Sequence, residues 1–153
     1  MVNLTGGYAR GGAVSVQRGL ALAEHKAAGL IITDEWKHTR ATFVEWYMYT
    51  AANISVDGAS ATLTLNGETL ALRVSEPAAS QVTIAAESPQ FAFPDVSTFP
   101  YLDGAEKPIH RVKITVPASA GRLVVQLGDA AAQGSCMEPL SRWADPTVTS
   151  LLC

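Results

Sequence analysis

The stretch ATLTLNGETLALRV, residues 61–74, alternates apolar and polar side chains on both sides of an Asn-Gly pair. Such alternation, with a period of two residues, is typical of a strand that buries one face. Asn66 and Gly67 favour a type I′ turn, because both central positions of that turn need a positive φ. The stretch therefore predicts a β-hairpin, and it is the clearest hairpin signal in the sequence.

The same alternation recurs outward from this hairpin along most of the chain. In the first long strand it places Val14, Val16, Leu20 and Leu22 on one face, which we expect to point into the core. Further strands are predicted from about residue 30 and over about residues 42–50, 54–57, 82–86, 109–116 and 123–127. No stretch before residue 128 shows a capped helical stripe. The sequence therefore predicts an all-β fold, an antiparallel β-sandwich of about eight or nine strands.

The composition is that of an ordinary globular chain. It has 153 residues, of which 48% are hydrophobic and 16% charged, with a formal net charge of -3, and this suits one folded domain. Basic residues are too scattered to follow a phosphate backbone, so we expect no nucleic-acid partner. No apolar run approaches the roughly 20 residues of a membrane helix, and the N-terminus lacks the pattern of a signal peptide. We therefore expect no membrane partner.

The pattern divides the chain into a β-sandwich domain over residues 1–128 and a C-terminal tail over residues 129–153. A long connection between residues 88 and 108 is rich in proline and phenylalanine, and its aromatic residues indicate a loop packed on the sheet. A turn or two of helix is expected within residues 138–144 of the tail. Cys136 and Cys153 also lie in the tail, where they define neither a disulfide framework nor a metal site. The sequence leaves open whether they form a bridge.

The predicted third strand, residues 42–50, is apolar on both faces. Three apolar side chains occupy its even positions and three aromatic ones its odd positions: Val44, Trp46, Met48 and Phe43, Tyr47, Tyr49. A strand in a two-layer sandwich should be polar on its outer face, so this strand is expected to be covered on both. Three interpretations remain open. The Pro/Phe-rich loop of this chain covers the second face, or another domain covers it. Alternatively, the aromatic residues form a platform that stacks on sugar rings.

Arg18 departs from the pattern, because it lies among apolar residues on the core face of the first strand. In a hairpin closed around His25, Asp34 lies opposite Arg18 or one diagonal step away. Since a buried charge is tolerable only when it is paired, we predict an ion pair between Arg18 and Asp34 at the edge of the core. A structural role is the first interpretation of this pair, and contact with a ligand is the alternative.

The sequence contains no complete catalytic motif, and we assign it no catalytic residue and no metal ligand. His25 and His38 fall at opposite ends of the second predicted strand, about 20 Å apart at 3.3 Å per residue, so they cannot share an ion. His110 opens a strand, where it is expected to cap the edge of the core. The polar cluster around Asp34 and Trp36 is interpreted as solvated. Motifs of hydrolases, metalloproteases and nucleotide-binding loops are absent from the sequence.

A succession of short segments resembles the C-terminal part of heparinase II/III-like polysaccharide lyases over about residues 2–127. The resemblance is carried by the order and spacing of VNLTGGY at residues 2–8, Arg18, LIITDE at residues 30–35, VEWYMYT at residues 44–50, and SVDG at residues 55–58 before the Asn-Gly hairpin. In that family an N-terminal α-helical toroid precedes large antiparallel sheets, and glycosidic bonds next to uronic acids are broken by β-elimination. The catalytic residues and the zinc ligands lie in the toroid and the early strands.

The resemblance implies that those motifs would precede Met1, so this chain carries no cofactor of its own and is not catalytic alone. It implies an accessory or structural C-terminal β-sandwich of a lyase, whose partners are an N-terminal α-helical catalytic domain and an acidic polysaccharide. A periplasmic or secreted location would follow. The alternative is a free-standing carbohydrate-binding or adhesive module that uses Tyr47, Tyr49 or Trp36. The sequence does not identify the polysaccharide or the oligomeric state.

Overall fold

A computed structural model describes residues 1–23, 29–88, 109–128 and 138–143. Ten strands in this part of the chain form two antiparallel sheets, one of seven strands and one of three. The fold is an all-β, sandwich-like arrangement, and the fold class predicted from the sequence is confirmed. The Pro/Phe-rich loop from residue 89 onward, the loop that holds His25, and both cysteines lie outside the described residues.

The strands follow the predicted segments to within a few residues. They are β1 Val2–Asn3, β2 Ala13–Ala23, β3 Gly29–His38, β4 Phe43–Thr50, β5 Asn53–Asp57, β6 Ser60–Leu65, β7 Glu68–Glu76, β8 Thr83–Glu87, β9 His110–Pro117 and β10 Arg122–Gly128. One helical turn, α1 Thr5–Tyr8, and four short 3-10 turns, at Ala9–Gly11, Ala79–Gln81, Ala118–Ala120 and Leu140–Arg142, connect or follow them. These helical pieces are too short to leave a stripe in the sequence, which is why only the last was expected.

The seven-stranded sheet has the order β1-β2-β3-β10-β7-β6-β5, and the three-stranded sheet has the order β4-β9-β8. The hairpin of β6 and β7 forms as predicted, with Leu65 paired to Glu68. Asn66 and Gly67 between them both have positive φ, 54° and 86°. Strand β10 inserts between β3 and β7, so the large sheet joins elements that are far apart in sequence.

The core lies between the two sheets. Strand β9, at the centre of the small sheet, contributes Val112, Ile114 and Val116, all of them fully buried. They pack in one cluster with side chains of β3, β10, β7 and β6, such as Leu123 and Leu72. Burial therefore alternates along β9, as the period of two requires. Strands β3 and β10 instead carry continuous buried runs, because Ile31 and Val124 on their other face pack against Trp143.

Strands β4 and β2 leave apolar side chains exposed, and for β2 this differs from the sequence expectation. Trp46 is buried on the inner face of β4, whereas Phe43 and Tyr49 on the outer face are exposed, so this chain by itself does not cover the outer face at these two residues. On the core-facing side of β2, Leu20 and Leu22 are 57% and 77% exposed, and Val14 is exposed as well. The small sheet has only three strands. Its side chains pack mainly on the part of the large sheet that runs from β3 to β5, so they do not bury Val14, Leu20 and Leu22 of β2.

The opposite face of the large sheet carries part of the C-terminal tail. Leu140 is fully buried there, and its backbone N–H donates to Glu35 Oε1 at 2.9 Å. Trp143 packs beside it against Ile31 and Val124. A Cβ added to Gly19 would overlap side-chain atoms of Leu140 and Trp143. Glycine in the middle of β2 is therefore explained by the close approach of the tail.

Candidate functional site: a cleft between the two sheets

A cleft of about 190 Å³ opens where the edge strand β4 faces β2 and β3 of the large sheet. Four aromatic side chains line it, namely Tyr8, Trp36, Trp46 and Tyr47. Charged and polar side chains also line it, namely Arg18, Asp34, His38 and Glu45, and the rest of the lining is aliphatic. The cleft therefore brings together aromatic rings and polar groups, the combination that is typical of small-molecule sites.

The N-terminal segment forms one wall of the cleft because it is fastened to β2. Val2 pairs with Arg18 in the short strand β1. The Thr5 hydroxyl accepts a hydrogen bond from the Val16 N–H at 3.0 Å, and the Leu4 N–H donates to the Val16 carbonyl at 2.8 Å. These bonds place α1, and with it Tyr8, beside the cleft.

The ion pair between Arg18 and Asp34 forms another wall. The two residues are direct partners in the β2–β3 ladder. Arg18 donates from Nε to Oδ1 at 2.6 Å and from Nη2 to Oδ2 at 2.7 Å. The hydrogen bond to Asp34 raises the pKa of the Arg18 guanidinium above its ordinary value, although burial opposes the shift. The ion pair expected from the sequence is thus present, and it lies in the cleft as well as at the core edge.

Trp36 and Trp46 line the inner part of the cleft. Trp36 is 6% exposed, and its Nε1 donates to the Ala118 carbonyl at 2.8 Å. Trp36, one of the three residues that the alternative interpretation offered for sugar contact, is therefore nearly buried and lies in the wall of the cleft. Trp46 is 5% exposed, and within the described part of the chain its buried Nε1 has no hydrogen-bond partner. The same holds for the buried Nδ1 of His38.

Tyr47 and Glu45 lie on the outer face of β4, and both also line the cleft. The Tyr47 hydroxyl donates to Glu45 Oε2 at 2.5 Å, and Glu45 also forms an ion pair with Lys113. Hydrogen bonds from Lys113 and then from Tyr47 lower the pKa of Glu45. The same carboxylate raises the pKa of Tyr47, because it stabilises the protonated phenol. The Arg111 guanidinium lies over the Tyr47 ring, 4.7 Å from its centroid.

Tyr49 lies outside the cleft, on the exposed outer face of the small sheet. It pairs with Arg111 across the β4–β9 ladder, and its hydrogen bond is the main cause of the raised pKa of that guanidinium. Arg111 also donates from Nε to Glu87 Oε2 at 2.6 Å. The structure therefore brings Tyr47 and Trp36 together in the lining of the cleft, whereas Tyr49, on the same outer face of β4 as Tyr47, lies outside that lining.

The histidines do not gather in one place within the described residues. His38 lines the cleft at the end of β3, whereas His110 pairs with Thr50 at the far end of β4, and its Nδ1 lies 2.9 Å from Ser88 Oγ. Across residues 1–23, 29–88, 109–128 and 138–143, no three His, Cys, Asp or Glu side chains are grouped so that they could hold a metal ion. None of the helices in these segments has the length and apolar character needed to span a bilayer.

The sequence did not point to Tyr8, Trp46 or His38 as parts of one site. Their positions on α1, β4 and β3 are set by contacts between distant segments, and no local signal marks them. No family model matches the chain, and no curated protein matches it either.

Proposed function

We propose that this chain is an accessory, structural β-sandwich of a polysaccharide lyase similar to the heparinase II/III-like enzymes, and that it is not catalytic alone. In this proposal an α-helical catalytic domain encoded upstream packs on the sandwich, and the two together contact an acidic polysaccharide. Elimination chemistry and the zinc ion of such an enzyme belong to the upstream domain. In this proposal no residue of this chain is a zinc ligand.

The observation that carries the proposal is the exposed apolar surface on β2. Leu20 and Leu22 lie on the side of the large sheet that faces the small sheet, yet most of each side chain is exposed. Apolar positions on the inner side of a sandwich are normally covered, and uncovered ones mark surfaces that meet another protein layer. A neighbouring domain that extends the inner layer over β2 would bury both leucines.

The test begins with the reading frame upstream of Met1, which should encode a mostly helical segment. That segment and the present chain are then produced as separate polypeptides, and their association is measured by analytical ultracentrifugation. We expect a complex that Leu20→Thr/Leu22→Thr weakens at least tenfold. The matched control is Leu65→Thr/Leu70→Thr, which changes two exposed leucines on the β6–β7 hairpin. Equal binding by both double variants, or no helical segment upstream, contradicts the proposal.

The second candidate function is a free-standing carbohydrate-binding or adhesive module. It is favoured by the side-by-side exposure of Tyr47 and Tyr49, two rings on one face of β4. Successive residues on one face of a strand are about 7 Å apart, a spacing that lets both rings contact one saccharide chain. Retention of the isolated chain on immobilised polysaccharide, lost in Tyr49→Ala, would support this candidate. Retention that does not depend on Tyr49 would contradict it.

A further inference from the structure

We propose that the cleft between β4 and the β2–β3 hairpin binds one neutral pyranose ring of a carbohydrate. This site is distinct from the apolar surface on β2, and it shares Tyr47 but not Tyr49 with the outer face of β4. The inference rests on the second candidate function, carbohydrate binding, and names the pocket and the class of sugar. The cleft volume of about 190 Å³ is that of a pocket for a single six-membered ring, since a cavity of about 150 Å³ accommodates benzene.

The charges of the lining favour a ligand without net charge. Arg18 is held by both oxygens of Asp34, so its guanidinium is already neutralised. Glu45 is paired in the same way with Lys113 and also accepts from the Tyr47 hydroxyl. The lining, as far as the structure describes it, therefore offers no unpaired carboxylate to a cationic ligand and no unpaired guanidinium to a uronate.

The hydrogen-bonding groups of the lining call for acceptor atoms. The buried Trp46 Nε1 has no partner among the residues that the structure describes, and an indole N–H can only donate. The His38 Nδ1 is also buried and unpartnered there, and it can donate or accept according to its tautomer. Both side chains line the cleft. Both nitrogens have less than 1 Å² of accessible surface, so sugar hydroxyl and ring oxygens would supply the missing acceptors, without bringing a charge, only after the ligand displaces the side chains that cover the two atoms.

The aromatic rings at the cleft suit the apolar face of a sugar. Tyr8 is 54% exposed and Tyr47 is partly exposed, and both belong to the lining. A pyranose ring has axial C–H groups on its faces and hydroxyls on its rim, so it can stack on a flat ring while its rim makes hydrogen bonds. A purely apolar ring would leave the Trp46 donor unpaired.

The experiment titrates the full chain with glucose, galactose, mannose and xylose, and in parallel with glucuronate and choline. Binding is followed by tryptophan fluorescence, since Trp36 and Trp46 line the cleft, and by saturation-transfer NMR. For so few ligand atoms we expect a dissociation constant on the order of 1 mM for at least one neutral sugar. Glucuronate and choline should bind at least tenfold more weakly.

Variants then locate the site. Tyr8→Ala changes an exposed residue and should weaken binding about tenfold. Trp46→Phe removes the indole N–H together with part of the ring and should also weaken binding. Phe43→Ala, an exposed aromatic on β4 outside the cleft lining, is the matched control and should bind as the parent does. The proposal is overturned if no neutral sugar binds at a sugar concentration 50-fold above that dissociation constant. It is equally overturned if glucuronate or choline binds more tightly than every neutral sugar tested. It is also overturned if Tyr8→Ala binds normally while Tyr49→Ala does not, which would assign the sugar to the outer face of β4.

Discussion

Replacing Arg18 with methionine is expected to destabilise the sandwich, because it leaves the Asp34 carboxylate in place without its partner. The Asp34 side chain is 10% exposed and receives two short charge-assisted hydrogen bonds from Arg18. Removing one member of a fully buried pair costs about 3–5 kcal/mol. The Arg18 side chain is 36% exposed, so water can reach part of the site and we discount the cost to about 1–3 kcal/mol.

The assay is urea unfolding at neutral pH, followed by far-UV circular dichroism and analysed by linear extrapolation. Methionine keeps most of the aliphatic length of arginine, so the loss reports mainly on the charge and its hydrogen bonds. The double variant Arg18→Met/Asp34→Leu removes both charges and should recover to within about 1 kcal/mol of the parent, since apolar replacements of buried pairs are often neutral. A loss of less than about 0.5 kcal/mol in Arg18→Met would refute this reasoning, because surface substitutions reach that value.

Three further predictions concern the tail, the cleft and the hairpin. Gly19→Ala should lower the free energy of unfolding in urea by about 1–3 kcal/mol, because its Cβ would overlap two tail side chains. The control Gly11→Ala places its Cβ in open space and should lower it clearly less. Equal losses of stability in the two variants would contradict the packing of the tail. Glu45→Gln should lower the pKa of Tyr47 toward its ordinary value of 10.0, because a neutral amide holds the phenol proton less strongly than a carboxylate. Ultraviolet titration measures this, with Tyr47→Phe to assign the signal, and an unchanged titration would disprove the contact. Asn66→Val should cost about 1 kcal/mol, because a β-branched residue is strained at φ 54°; an unchanged urea midpoint would contradict the positive φ.

The strands and the hairpin could be predicted from the sequence because their signals are local. The alternation on either side of Asn66 and Gly67 fixes both strands and the turn without any knowledge of the rest of the fold. The number of strands in the small sheet, and hence how much of the large sheet it covers, is not marked by any local sequence signal. Its three strands do not cover Leu20 and Leu22, although the pattern of β2 alone predicted that both would be buried.

The site was predictable only where it depends on a single hairpin. Arg18 and Asp34 belong to neighbouring strands, so their pairing follows from the register of one turn. The cleft also needs α1 and the edge strand β4, which reach it through contacts that the sequence pattern does not encode. Trp36 was one of three residues that the alternative interpretation offered for sugar contact, but it is 6% exposed and its Nε1 donates to the Ala118 carbonyl.

The most direct test of the proposed function is the elimination activity of the upstream polypeptide with and without this chain. Activity is read as the ultraviolet absorbance of the unsaturated uronic product, with a uronate-containing polysaccharide as the substrate. We expect no product from this chain alone, little from the upstream polypeptide alone, and a rate at least tenfold higher when the two are mixed. Equal rates with and without this chain, or product formed by this chain alone, would contradict an accessory role.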